Sequence, residues 1–203
     1  EPPQLQRGQP TLGTVALTVK DLDLPRSTPF GTDLAGVNLQ VHGGEVVGIA
    51  GVSGNGQREL LMAISGEDAR AAPDAIRVGE QPVGRLSPVR RRALGMHFVP
   101  AERLGRGAVP DIGLVRNLLL TRSESVGALG WLHLGKLRAQ AGAVLVVSDE
   151  LDELFEICDR LYVMAGGRIS PSLPMAEAST EKIGQWMSGL WAEDAHGGRH
   201  AAA

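Results

Sequence analysis

The sequence predicts an α/β fold: a mostly parallel sheet with flanking helices, and a small antiparallel β subdomain near the amino end. Three observations predict it. Short apolar runs, Val46-Val47 to Ile49 and Ala143–Val147, each lead into a segment with apolar residues at helical spacing, the strand–helix succession that layers helices on a sheet. Ahead of the first run, Val15, Leu17 and Val19, then Val37, Leu39 and Val41, alternate with other residues as antiparallel strands do. Between the first run and its helix lies a loop with glycines at 51, 54 and 56.

Composition bounds the class. The chain has 203 residues, 43% hydrophobic and 21% charged, which suits one soluble globular domain with a sizeable core. A formal charge of -3 gives no global attraction to nucleic acid or anionic lipid. Five His and one Cys offer no metal-ligand spacing and no internal disulfide framework, which points to an intracellular protein. The apolar runs are too short to span a bilayer, and the amino end has no signal-peptide pattern. Any membrane link therefore goes through a partner.

In chain order, Glu1–Gly13 is rich in Pro, Gln and Gly and reads as a linker. Thr14–Asp23 suits an edge strand. A loop follows, in which Phe30 is expected to pack locally, and a second strand runs to the Gly43-Gly44 turn. Glu45–Gly66 is the centre of the argument. Strand, Gly-rich turn and helix aim several backbone N–H groups and a helix dipole at one anion, and glycine lets a phosphate approach the main chain. The pattern G-x-x-x-x-G-K-[ST] runs Gly51 to Arg58 with its last two positions replaced. Gln57 stands where a lysine neutralises the terminal phosphates, Arg58 stands where a hydroxyl binds Mg²⁺, and Glu59 adds a negative charge. The candidate cradle is Gly51, Val52, Ser53, Gly54, Asn55, Gly56, Gln57, Arg58 and Glu59. The alternative is a Gly-rich turn with no ligand.

Ile76–Val78 and Gln81–Val83 read as short strands around Gly79. Ser87-Pro88 opens a helix whose Arg90, Arg91 and Arg92 read as a solvated face. Gly95–Val99 reads as a strand, and Asp111–Leu120 as a helix with Leu114 and Leu118 inward. Val144–Glu150 is an apolar strand ending in two carboxylates. Taken alone, Asp149 suits Mg²⁺ held through water and Glu150 suits polarising an attacking water. Leu151, Leu154, Phe155 and Cys158 then form one helix face, with Cys158 buried. LYVM and GGRI form strand, turn and strand. Ser179 or Thr180 caps a last helix carrying Ile183, Trp186, Met187, Leu190 and Trp191 on one stripe, and Ala192–Ala203 reads as a loose tail.

Three blocks, GEVVGIAGVSGNGQREL, LSPVRRRALGMHFVPAERLGRG and VLVVSDELDELFEICDRLYVMAGGRI, resemble in order the ATP-binding domain of ABC transporters. More narrowly they resemble the degenerate second ATP-binding half of simple-sugar and nucleoside importer ATPases, in which the phosphate loop lacks its lysine. The resemblance implies a P-loop NTPase-like fold, divided into a linker over 1–13, a nucleotide-binding domain over 14–170 and a carboxyl-terminal helix and tail over 171–203. It implies ATP as cofactor, with Mg²⁺ as a candidate companion, and no resident metal site. It places Ala101 (followed by Glu102) at the glutamine-loop position and Asp149 at the switch-histidine position, so no confident catalytic residue remains. The implied role is the ATP-binding component of an importer, binding nucleotide without hydrolysing it. The implied partners are membrane permease subunits, contacted near Glu102–Gly107 through Arg103 and Arg106, and a second ATP-binding domain, with no nucleic acid and no membrane span. The implied location is cytoplasmic, on the inner face of the cell membrane.

The resemblance also exposes a gap. The helical subdomain, the LSGGQ element and the strand ending in Asp-Glu are absent, and the join falls near 130–138. We expect the missing strand to lie beside the phosphate-loop strand. Without it, central backbone groups would go unpaired at about 1–3 kcal/mol each, so the polypeptide is expected to exceed these 203 residues, with an intact mass above 21.4 kDa. Two other readings stay open: a structural or interaction module that binds no nucleotide, and a stand-alone phosphate-handling enzyme using Asp149 and Glu150.

Overall fold

The computed structural model describes residues 12–98 and 142–191. The first sheet is antiparallel. Strand β1 (Val15–Leu24) pairs with β2 (Leu34–His42), with Thr18 opposite Gln40 and Val19 opposite Leu39. The alternation sends Leu17, Val19, Leu22 and Leu24 inward with Val37, Leu39 and Val41. The register shifts between Val19 and Leu22, where Asp21 has φ 45 and donates its N–H to Asn38 Oδ1. That irregularity keeps Leu22 in the core despite the odd spacing from Val19. Strand β4 (Ile76–Val78) pairs with the other side of β1, and β5 (Gln81–Pro82) with β4, giving the order β2-β1-β4-β5. Thr14–Asp23 is thus an interior strand rather than the expected edge, because the short run after residue 75 returns to cover it.

The second sheet carries the loop. Strand β3 (Val46–Ala50) lies between β6 (Val144–Ser148) and β7 (Arg160–Ala165), parallel to both. Two antiparallel pieces, β8 (Arg168–Ile169) and β9 (Leu173–Pro174), pair with β7. This arrangement corrects the expectation that β3 lacks a neighbour. Its backbone is paired on both sides, and Val47 and Ile49 are fully buried. The unpaired position among the described residues lies one strand further out, beyond β6. Among the described residues β6 ends the sheet, with Val144 44% exposed and the rest half-buried. The argument from unpaired central groups therefore does not require hidden residues.

Helix α1 (Gln57–Ser65) follows the loop, and α2 (Pro88–Ala93) is short with Pro at its start. Helix α3 (Leu151–Ile157) buries Leu154 and leads to buried Cys158. It packs so close to β3 that a Cβ at Gly48 would lie 2.9 Å from Cys158 Sγ. Helix α4 (Thr180–Met187) is capped by Ser179, whose Oγ accepts from Lys182 N–H, and anchors through fully buried Ile183. Two cores result: one between the sheets and α1, and one joining α3, α4 and the opposite face of β7.

Four further readings change. Phe30 is wholly exposed rather than locally packed. Arg91 is buried, so only its neighbours Arg90 and Arg92 fit a solvent-facing description. Gly95 sits in a turn at φ 88, and 96–98 have no regular structure, in place of the expected strand. Helix α4 stops at Met187, which leaves Leu190 71% exposed, off the predicted stripe. Ala101, the Glu102–Gly107 segment, the helix expected over Asp111–Leu120, the join near 130–138, most of the linker and the tail lie outside the described residues.

Candidate functional site

The loop from Gly51 to Gly56 leaves the carboxyl end of β3 and delivers the chain into α1. Its glycines are needed for specific reasons. A Cβ at Gly51 would collide with the Gln57 amide and sit 2.7 Å from Met164 O, while Gly54 and Gly56 hold φ 90 and φ 104. Gly56 is the N-cap of α1 and offers no side chain to the helix's first N–H groups. Those groups, with the dipole behind them, are the anion-seeking element.

Asn55 staples the loop. Its backbone N–H and its Nδ2 both donate to Val52 O, at 3.3 and 3.0 Å. Its Oδ1 accepts from Gly166 N–H at 2.8 Å and its carbonyl accepts from Gly167 N–H at 2.9 Å. Gln57, the first residue of α1, folds its side chain back so that Nε2 also donates to Val52 O, the loop's own carbonyl, at 3.0 Å. On the other side Thr32 Oγ1 donates to Gly54 O at 2.7 Å, and Thr32 N–H donates to Glu59 Oε1 at 3.3 Å. Gly167 (φ 77) completes the clamp, with its carbonyl accepting from Ala35 N–H at 3.0 Å. Val52, Ser53, Gly54 and Arg58 remain exposed.

The parallel register sets Ala50 opposite Ser148, so Asp149 leaves the sheet alongside Gly51, on the same edge as the loop. Asp149 and Glu150 are both exposed; Glu150 N–H donates to Ser148 Oγ at 3.1 Å. The structure thus brings the loop residues and Asp149 to one edge. Thr32 and the Gly166-Gly167 turn were missed as parts of the site. Their contacts cross 22 and 111 residues, and no local pattern announces such a pairing.

The opposite end of β3 holds a buried ion pair. Glu45, 2% exposed, accepts from Arg160 Nε at 3.0 Å and Nη2 at 2.8 Å, and from His42 N–H at 2.6 Å. Burial alone would raise its pKa, but the bonds from Arg160 and His42 outweigh it and hold the carboxyl down to about 2. In the described residues no helix is long and apolar enough to cross a membrane.

No family model matches the chain. Among curated proteins it is 25% identical to a ribose import ATP-binding protein of Rubrobacter xylanophilus, over 74% of the chain and 44% of that protein. It is 33% identical to a guanosine import ATP-binding protein of Bacillus subtilis, over 71% of the chain and 27% of that protein. The chain therefore spans less than half the length of these relatives. The ribose alignment runs over 221 positions yet takes in 74% of 203 residues, about 150, so roughly 70 positions of the relative face no residue here. Among solved structures, an ATP-binding subunit of an ABC transporter matches with TM-score 0.59 and 16% identity, over 85% of this chain and 99% of that one. A dimeric ATP-binding cassette bound to ADP and Pi matches with TM-score 0.59 and 14% identity, over 78% and 98%. By sequence the chain is a homologue of the ATP-binding subunits of sugar and nucleoside ABC importers, and its fold is that of the ABC ATP-binding cassette.

Proposed function

We propose that the chain is the ATP-binding component of an importer for a simple sugar or nucleoside, and that its own loop retains nucleotide without efficient hydrolysis. The observation that carries this reading is the loop. Its three glycines keep the backbone open, and Asn55 and Thr32 fix its shape from both sides. Backbone N–H groups of Gly54, Gly56 and Gln57 would hold the inner phosphates, the Asn55 N–H being engaged by Val52 O, with Gln57 contributing an amide where a full charge is usual. ATP supplies, when bound, the phosphate anhydride that transport draws on.

The residues present do not fit Mg²⁺. Arg58 replaces the metal-binding hydroxyl, and among the described residues no group of three or more His, Cys, Asp or Glu comes together. Phosphoryl transfer depends on charge neutralisation and a positioned water. Gln57 is neutral, and Asp149 repels a terminal phosphate where a donor is needed. Nucleotide retention and mechanical coupling are what remain, with hydrolysis at an opposite site whose lysine comes from a second ATP-binding domain. Membrane permease subunits, docked near Arg103 and Arg106, would choose the solute and hold the chain at the inner membrane face.

Titration calorimetry with ATP, with and without Mg²⁺, tests this. Weak binding that Mg²⁺ barely changes is expected, together with phosphate release far below that of an ordinary cassette. Turnover at an ordinary rate sinks the degenerate-site reading. The second reading is an interaction module that binds no nucleotide. It is favoured by Gln57 Nε2, which satisfies the loop internally; absence of any ATP heat would establish it. A Glu150→Gln variant that abolishes measurable phosphate release would instead favour chemistry at Asp149 and Glu150.

A further inference from the structure

Among the described residues a second buried charge lies behind the loop rather than in it. Arg91 is 1% exposed. Its guanidinium donates from Nη1 to Ala63 O at 2.5 Å and Ile64 O at 2.6 Å, from Nε to Leu86 O at 2.9 Å, and from Nη2 to Gly84 O at 3.2 Å. Ala63 and Ile64 belong to the last turn of α1, where carbonyls lack partners within the helix. The route is tight, since a Cβ at Gly66, just past α1, would lie 2.7 Å from Arg91 Nε. Among the described residues no carboxylate pairs with Arg91. Burial lowers its pKa only to about 10, so it is a full cation at neutral pH.

A cation at the carboxyl end of α1 cancels the negative pole of that helix. The other pole, nine residues and about 14 Å away, faces the glycine loop. One charge is buried and the other sits on an exposed loop, so the coupling at that separation is partly screened and small, of the order of a few-fold in affinity. We propose that Arg91 is a positioning residue of the phosphate loop: it clamps the far end of α1 and supplies, through the helix, part of the positive potential that the lysine would have supplied directly. This rests on the nucleotide-binding reading of the loop.

The test compares Arg91→Lys and Arg91→Met in the full chain. Affinities for ADP and AMP are measured by calorimetry, with thermal melting as a control for folding. Arg91→Met is expected to weaken ADP about threefold and AMP less, in step with ligand charge, whereas Arg91→Lys keeps ADP affinity although it melts earlier. A clamp without an electrostatic role would lower both melting temperatures and leave the ADP-to-AMP ratio of the folded protein unmoved, which overturns the proposal alone. If the unaltered chain binds neither ADP nor AMP, the nucleotide reading and this proposal fall together.

Discussion

Arg160 places each of its five N–H groups: two on Glu45, one each on Tyr162 Oη and Ser172 Oγ, and one on Gln40 O. It joins β2, the start of β3 and β7 at a point where burial makes an unpaired charge costly. Glu45 is held at about 2 against an ordinary 4.5. A depressed carboxyl contributes stability that is full above about 4.5 and is lost as pH falls through about 2. The depression corresponds to roughly 3 kcal/mol. Glu45→Gln should flatten the acid limb of a pH-dependent unfolding curve, and an unchanged limb would show the pair is not the acid-sensitive element. Gln57→Lys should tighten ATP binding by restoring charge to the phosphates and leave turnover low; calorimetry and phosphate release read the two halves separately. At this scale the sequence was uneven as a guide. The glycine spacing is contiguous, so the loop and its left-handed Gly54 and Gly56 are legible in the sequence. Arg91 reads like a surface residue because its neighbours Arg90 and Arg92 share its residue type, and only the closeness of α1 separates them.

Between elements, α3 approaches β3 closely at Gly48. Gly48→Ala must push Cys158 Sγ, Leu154 and Leu161, whose atoms would stand at 2.9, 3.3 and 3.4 Å from the new Cβ. Overpacking of this kind costs about 1–3 kcal/mol. Adding Cys158→Ala to the same chain should return part of that loss, and strictly additive losses in denaturant unfolding would place the crowding elsewhere. Leu154→Ala, at a fully buried site, should cost about 2–5 kcal/mol. The helix face of Leu151, Leu154, Phe155 and Cys158 was readable from its spacing. The neighbours of β3 were not, because β6 and β7 arrive about 100 residues later and their order is decided by which edges remain to be paired. For the same reason the sequence alone reads β1 as an edge.

For the whole molecule, the strand that carries the loop is paired on both sides by strands of this chain. Strand β3 is enclosed by β6 and β7, and the deficit of roughly 70 positions against the ribose protein need not open the core. If permease docking lies near residues 102–107, reversing the charges of Arg103 and Arg106 should loosen a permease complex in a pull-down; unchanged co-purification would move that contact elsewhere. Phe98 and Gly142, the residues flanking the stretch 99–141, both line one cavity of about 290 Å³ with Leu61, Ile64, Met96 and Leu145. Phe98 and Gly142 therefore stand near one another on the described frame, so an exchange of the residues between them starts and finishes at one place. A graft there pays loop-closure entropy, which grows only with the logarithm of its length, about 0.6 kcal/mol per doubling. A chimera in which a longer stretch of the Rubrobacter ribose protein replaces 99–141 should therefore fold on the same frame, with β3, β6 and β7 keeping their hydrogen-exchange protection.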